Sequence, residues 1–280
     1  MLVNLKEILK IAEEKSIAIG AFNTPNLESI LAVLDAAERL DVPVIISHAQ
    51  LHDTVMPLEI IGPIMVEAAK KAPIPVCVHL DHGEELSYLK KALDLGFTSI
   101  MYDGSSLSFA ENLANTQKAV QMAKEYNAGV EAELGVMGGR ETADEKVVDK
   151  SSLYTDPKQA EEFTSAVGID ALACSFGTAH GFYTEVPELD FERIKTIRAQ
   201  TGIPVVMHGG SGVSPDEFKK AIACGVRKIN YYSYMSLAGV EETKALLEKE
   251  DIKYFHDISL AATKAMSEDA EKALRVFSNL

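Results

Sequence analysis

An alternation constrains this chain more than any other feature. Eight short apolar runs are separated by stretches with helical spacing. The runs are SIAIGAF (16–22), VPVIIS (42–47), IPVCVHL (74–80), TSIMYD (98–103), AGVEAEL (128–134), DALACSF (170–176), IPVVMHG (203–209) and VRKINYY (226–232). Between them, LESILAVLDAAERL (27–40) places Leu27, Ile30, Leu31, Leu34 and Leu40 close to i, i+3, i+4, i+7 spacing. In SPDEFKKAIACG (214–225), Ser214 suits the N-cap and Pro215 the first helical position. Glu217 completes a capping box, and Gly225 suits the C-terminal turn. SFAENLANTQKAVQMAKEYN (108–127) reads as another long helix.

Near-continuous apolar strands alternating with helices predict a parallel sheet covered by helices. Eight of them in 280 residues predict an α/β fold closed as a (β/α)8 TIM barrel, a single domain over 1–280. GAFNTPN, after the first run, has one glycine, so no dinucleotide-binding loop opens the fold. The longest polar stretch is 136–156, and a loop of that length inside a compact domain is often functional.

In such a barrel the chemistry comes from the C-terminal ends of different strands. Asp81 and His82 end the third run and Asp103 the fourth. Glu131 and Glu133 lie at the end of the fifth. His180 follows the sixth, His208 closes the seventh and Asn230 the eighth. Closure would gather His82, His180 and His208 round one axial pocket. Three imidazoles with an open fourth position form a zinc site of catalytic type, with Glu133 as a supporting group or alternative ligand. His79, inside its run, reads as a core histidine; His48, His52 and His256 read as surface or loop residues.

Two glycine motifs follow the histidines, GTAHGFY (177–183) and HGGSG (208–212). Glycines there let backbone N–H groups approach an anion, and Ser211 adds a hydroxyl donor. The helix that begins near Ser214 turns its N-terminus toward the same place, where phosphate is favoured. A metal, carboxylates that move protons and a phosphate cradle together describe carbon–carbon chemistry beside the ketone of a phosphorylated sugar.

Charge narrows the partners. With 42 acidic against 27 basic residues and a net charge of −15, a nucleic-acid partner is not expected. The three cysteines (Cys77, Cys174, Cys224) share no CxxC spacing and suit a reducing compartment. MLVNLKEILKIAEEK reads as an amphipathic helix rather than a signal peptide, and no run is long enough to span a membrane. A cytoplasmic location follows as the expectation.

The motifs AFNTPNLE, VHLDHG, MYDGSSLSFAEN, VEAELG followed by GGRE, YTDP, GTAHG, VVMHGGSG and KIN, in this order, resemble the class II (zinc-dependent) ketose-bisphosphate aldolases of the fructose- and tagatose-bisphosphate type. The resemblance covers nearly the whole chain. It implies His82, His180 and His208 as zinc ligands, with Glu133 and Asp103 as acidic groups that touch the metal when it shifts. It implies Asp81 as the acid/base at the C4 hydroxyl and Glu141 as the group that moves the proton on the dihydroxyacetone-phosphate carbon. Gly181, Gly209 and Ser211 become the phosphate cradle, with a monovalent cation (Na+ or K+) beside it. Asn230 contacts the enediolate oxygens, and Asn23 and Ser233 join the substrate-binding set. A homodimer or homotetramer is implied.

Three positions depart from the family pattern. Thr184 stands where a lysine usually follows H-G-x-Y, Tyr232 where a small or acidic residue is usual, and Ala49 where a hydroxyl is common. The metal and proton-transfer set is intact while the substrate-gripping set has changed, which predicts a substrate shifted from fructose or tagatose 1,6-bisphosphate. Arg227 is a candidate to replace the missing lysine charge. Two rival readings remain at this level. One is a non-catalytic sugar-phosphate-binding protein on the aldolase fold. The other is a Schiff-base aldolase using Lys228.

Overall fold

A computed structural model describes residues 1–135, 154–183, 187–249 and 252–280. The first half runs β1 (Leu2–Val3), α1 (Leu5–Lys15), β2 (Ile19–Asn23), α2 (Leu27–Leu40), β3 (Val44–Ala49), a 3-10 turn (Gln50–Thr54), α3 (Leu58–Lys71), β4 (Val76–Gly83), α4 (Leu86–Asp94) and β5 (Ser99–Tyr102). The second runs α5 (Phe109–Glu125), β6 (Gly129–Leu134), α6 (Pro157–Val167), β7 (Ala171–Cys174), α7 (Phe191–Thr201), β8 (Val205–Met207), α8 (Pro215–Cys224), β9 (Val226–Tyr231), α9 (Ser233–Lys249) and α10 (Phe255–Phe277).

Strands β2 to β9 are parallel neighbours in sequence order, and β2 also pairs with β9, so eight strands close into the predicted barrel. Each apolar run overlaps one of them, and β2, β3 and β4 continue one to three residues beyond theirs. The two-residue β1 has no counterpart among the runs. It pairs with the start of β4, Leu2 opposite Val76 and Val3 opposite Cys77. It leads into α1, whose Leu5, Ile8, Leu9 and Ala12 pack with the inward Ile19, Ile45 and Cys77. One end of the barrel is thereby plugged with apolar side chains, which leaves the polar inward residues to the other end.

The helix signals hold in detail. Ser214 and Glu217 form a reciprocal capping box at α8, as do Ser108 and Glu111 at α5. The leucine pattern of α2 needs a correction. Ile30 and Leu34 are buried, but Leu27 and Leu31 are 49% and 50% exposed. The buried stripe is completed instead by Ala32, Val33, Ala36 and Ala37, which let α10 lie across α2. Close helix approach selects small residues, so counting large side chains picks the wrong flank.

Candidate active site

Residues facing the axis alternate with residues facing the helices, because strand side chains have a period of two. On β4 the helix-facing set is Val76, Val78 and Leu80, and Cys77 faces the interior. Continued alternation would point His82 outward with Leu80. Its backbone departs from that rule. His82 has φ of 45°, and the pairing of β4 with β5 shifts register between Leu80 and Gly83. The irregularity turns His82 back over the barrel mouth beside Asp81. A non-glycine residue in this conformation costs roughly 1–3 kcal/mol, and such strain clusters at functional sites.

The mouth holds a cavity of about 590 Å³. Asn23, Asp81, His82, His180 and Asn230 line it. Gly181, Gly209, Ser211 and Ser233 line its glycine-loop side. His208 is fully buried at the floor. Glu141 and Thr184 lie outside the described residues.

His82, His180 and His208 each offer a nitrogen, and the three lie within 4.8 Å of one another. Asp103, buried behind His82, pairs with its Nδ1 at 2.8 Å. Glu131, on β6, pairs with Nε2 of His208 at 2.9 Å. An ionised carboxylate is only an acceptor, so each imidazole donates its carboxylate-side N–H. The remaining nitrogens, Nε2 of His82 and Nδ1 of His208, face each other at 2.9 Å. In neutral imidazoles both carry lone pairs, so at that distance either a proton or a metal ion must lie between them. Nε2 of His180 and Oε2 of Glu133 are buried with no hydrogen-bond partner among the described residues. The donor set fits a divalent metal of the nitrogen-preferring kind, and carboxylates behind the ligands are the usual support.

The electrostatics agree. Burial opposes a charged His82, yet Asp81, Asp103 and Glu133 raise its pKa to about 10. Burial, joined by the charge of Asp103, pushes Glu133 up to about 8. Burial, joined by His82, pushes His180 down to about 3. The carboxylates of Asp81 and Asp103 thus favour a positive charge at His82, which a proton or a bound metal ion would supply. Burial alone would raise Asp81, but His82, His208 and Lys228 hold it well below the usual carboxylate range, so it is ionised near neutrality.

The glycine loops are held by sterics and by one tyrosine. Gly209 has φ of 64°, and a Cβ there would lie 2.2 Å from the carbonyl oxygen of Ala179. Tyr183 receives the Ala179 N–H at 3.0 Å and donates to the Gly209 carbonyl at 2.7 Å, tying both loops together. Ser211 Oγ accepts the Tyr232 N–H at 3.2 Å.

The profile of the family "Fructose-bisphosphate aldolase class-II" matches residues 3–280. This chain belongs to that family. A fructose-bisphosphate aldolase of Staphylococcus aureus (strain Mu50 / ATCC 700699) is 38% identical over 256 residues, 90% of this chain and 88% of that one. The crystal structure of the YdjI aldolase from Escherichia coli K12 superposes with a TM-score of 0.88 at 34% identity, covering 99% of this chain and 97% of that one. The fructose-bisphosphate aldolase (Fba) of Campylobacter jejuni gives a TM-score of 0.83 at 25% identity, with coverages of 99% and 94%. The protein is an aldolase, a carbon–carbon lyase, and the family works with a divalent metal on a phosphorylated sugar. No helix among the described residues is long and apolar enough to cross a membrane.

The aldolase site includes residues that the sequence reading misjudged. His48, on β3, is fully buried and is neither surface nor loop; His52 lies in the 3-10 turn, a loop position as expected, but is only 6% exposed. His48 faces outward from β3 under the 3-10 turn, with Tyr88 Oη 3.3 Å away, and burial lowers its pKa to about 4. His52 lines the cavity and packs against Tyr232 at 5.3 Å. His79 is a buried core residue as expected, 2.7 Å from Ser99 Oγ. Arg227 does not line the cavity; Glu13 and two backbone carbonyls engage it. Lys228 is fully buried and paired with Glu131 at 2.9 Å, so its ammonium is poorly suited to imine formation. Glu131 stood at a strand end in the sequence, but nothing there showed that it would meet both His208 and Lys228.

Proposed function

We propose that this aldolase catalyses reversible cleavage of a ketose phosphate to dihydroxyacetone phosphate and an aldehyde, with zinc held by His82, His180 and His208. The observation that carries this reading is the 2.9 Å meeting of His82 Nε2 and His208 Nδ1 beside Asp81. When bound, the ion supplies Lewis acidity that polarises the ketone and stabilises enediolate charge. Glu133 and Asp103, grouped with His82, are further donors that could hold the ion.

Asp81 takes the C4 hydroxyl proton in cleavage and returns it in condensation. Asn230 donates to Asp81 Oδ1 at 3.1 Å and presents its amide to the enediolate oxygens. Backbone N–H groups at Gly181 and Gly209 and the hydroxyls of Ser211 and Ser233 receive the phosphate, with a monovalent cation, Na+ or K+, beside them. Asn23 orients the substrate from β2, and Glu141 moves the proton on the dihydroxyacetone-phosphate carbon. Tyr232 and Ala49 line the cavity and support an aldehyde partner different from that of fructose or tagatose 1,6-bisphosphate. We assign the protein to the cytoplasm as a homodimer or homotetramer.

The test is solvent-deuterium exchange into dihydroxyacetone phosphate, followed by NMR with zinc-loaded protein, with and without chelator. Exchange that chelator abolishes supports the reading. No exchange from folded, zinc-bound protein overturns it in favour of sugar-phosphate binding without catalysis.

A further inference from the structure

Lys228 lies beneath the cavity on β9, facing the barrel interior, and is the only lysine or arginine fully buried among the described residues. A buried ammonium is costly unless paired, so its partners deserve a physical account. Nζ lies 2.9 Å from Oε2 of Glu131 and donates to Oδ1 of Asn230 at 2.7 Å. The other oxygen of Glu131 accepts from His208. The amide nitrogen of Asn230 donates to Asp81. The contacts form one line, His208–Glu131–Lys228–Asn230–Asp81, running beneath the site from one side to the other.

The chemistry of the groups sets the direction of that line. An ammonium has only donors and an ionised carboxylate only acceptors. Asn230 stands between one of each, so its amide has a single satisfactory orientation: oxygen to Lys228, nitrogen to Asp81. A flipped amide would set its oxygen against the Asp81 carboxylate and its N–H groups against the ammonium. Without Lys228, nothing in this line would hold the Asn230 oxygen. The donor from Asn230 also occupies one acceptor site of Asp81 Oδ1 and lowers the basicity of that oxygen, which favours the other oxygen for the substrate proton.

We propose that Lys228 is a positioning residue: it locks the Asn230 amide and, through it, selects the oxygen of Asp81 that exchanges the proton with substrate. The proposal rests on the aldolase reading above. Lys228 touches no reacting atom and acts only through Asn230.

Removing Lys228 by itself would strand the buried charge of Glu131, so the test removes both charges together. Glu131→Gln/Lys228→Met keeps similar volumes and leaves an amide oxygen for His208. This double variant is to retain zinc and cooperative thermal unfolding, while kcat for cleavage falls about tenfold to a hundredfold, within the range one proton-transfer group supplies. The decisive readout is a cycle with Asn230→Ala. If Lys228 acts through Asn230, Asn230→Ala costs several-fold less in the double variant than in wild type, a comparison in which any effect of Glu131→Gln on His208 cancels. Costs that multiply, or a Glu131→Gln/Lys228→Met enzyme within about twofold of wild type, overturn the proposal.

A second measurement does not depend on that variant folding. The Lys228 ammonium is observed by 15N-lysine NMR in wild type and in Asn230→Ala. A protected resonance that shifts on the substitution supports the contact; a rapidly exchanging or unshifted resonance overturns it. Wild-type exchange into dihydroxyacetone phosphate separates the two levels. Its absence sinks the aldolase reading and this proposal with it, whereas exchange with multiplying costs sinks the proposal alone.

Discussion

Asp81 and His82 are adjacent in the chain, yet both side chains enter the same cavity. Neighbours on a regular strand point to opposite faces. The φ of 45° at His82 and the register shift after Leu80 break that rule at one residue. An acid/base group and a candidate metal ligand thereby share one face, close enough to act on adjacent atoms of one substrate.

His82→Ala tests the arrangement. It removes one of three nitrogens at the meeting point and leaves Asp103 without its imidazole partner. Metal content by elemental analysis is to fall well below that of wild type. Activity is to drop at least about a hundredfold, the scale of losing a group that stabilises developing charge. Far-UV circular dichroism is to remain unchanged, because alanine adopts an ordinary backbone there more readily than histidine holds the left-handed one.

Gly209→Ala introduces a Cβ 2.2 Å from the Ala179 carbonyl oxygen at a φ of 64°. The contact is to backbone, which cannot swing away as a side-chain end can. Both the clash and the conformation oppose alanine, so a loss of roughly 2–4 kcal/mol in urea unfolding is expected. A loss within experimental error would mean that the two glycine loops separate freely.

Tyr183→Phe deletes the hydroxyl that joins the Ala179 N–H to the Gly209 carbonyl. Leaving those partly buried groups unsatisfied costs about 1–3 kcal/mol. Loosened loops are to appear as a raised KM for the phosphorylated substrate with kcat changed less. Steady-state kinetics reads the split directly.

Asp53 makes a pH prediction away from the metal site. It accepts from the Leu58 N–H at 2.9 Å and from Tyr88 Oη at 2.7 Å. The Leu58 N–H, then Tyr88, hold its pKa below the ordinary 3.8. A carboxylate with a depressed folded pKa contributes stability that is fully present above its unfolded value. That contribution is lost as pH falls through the lower, folded value. The advantage of wild type over Asp53→Asn, measured by thermal melts, is therefore to be constant from about pH 7 to about pH 5 and to shrink below about pH 4.

Much of the site was legible from residue types at strand ends. Asp81, His82, His180, His208 and Asn230 could be named because the barrel rule converts positions scattered along the chain into one rim. The glycine motifs pointed to a place of close backbone approach, and Gly209 meets Ala179 there. His48 and His52 were misjudged because they follow an apolar run, where exposure and burial look alike in sequence. Whether such a residue is covered depends on the 3-10 turn that folds over it, a contact between segments rather than a local preference. The alanines of α2 were passed over for a related reason: their value lies in how closely another helix approaches. Arg227 was a candidate for the pocket because run membership alone does not tell inward from outward.

The sequence by itself determined the eight-strand alternation, the cap that starts α8, and the acidic and imidazole groups at the strand ends. Those signals are local: periodicity, capping chemistry and turn residues act within a few positions of chain. Only the tertiary structure decided that His82 turns against its strand, that Asp103 and Glu131 each hold one histidine, and that Lys228 bridges Glu131 and Asn230. These relations join residues from different strands, and their distances exist only after the barrel closes.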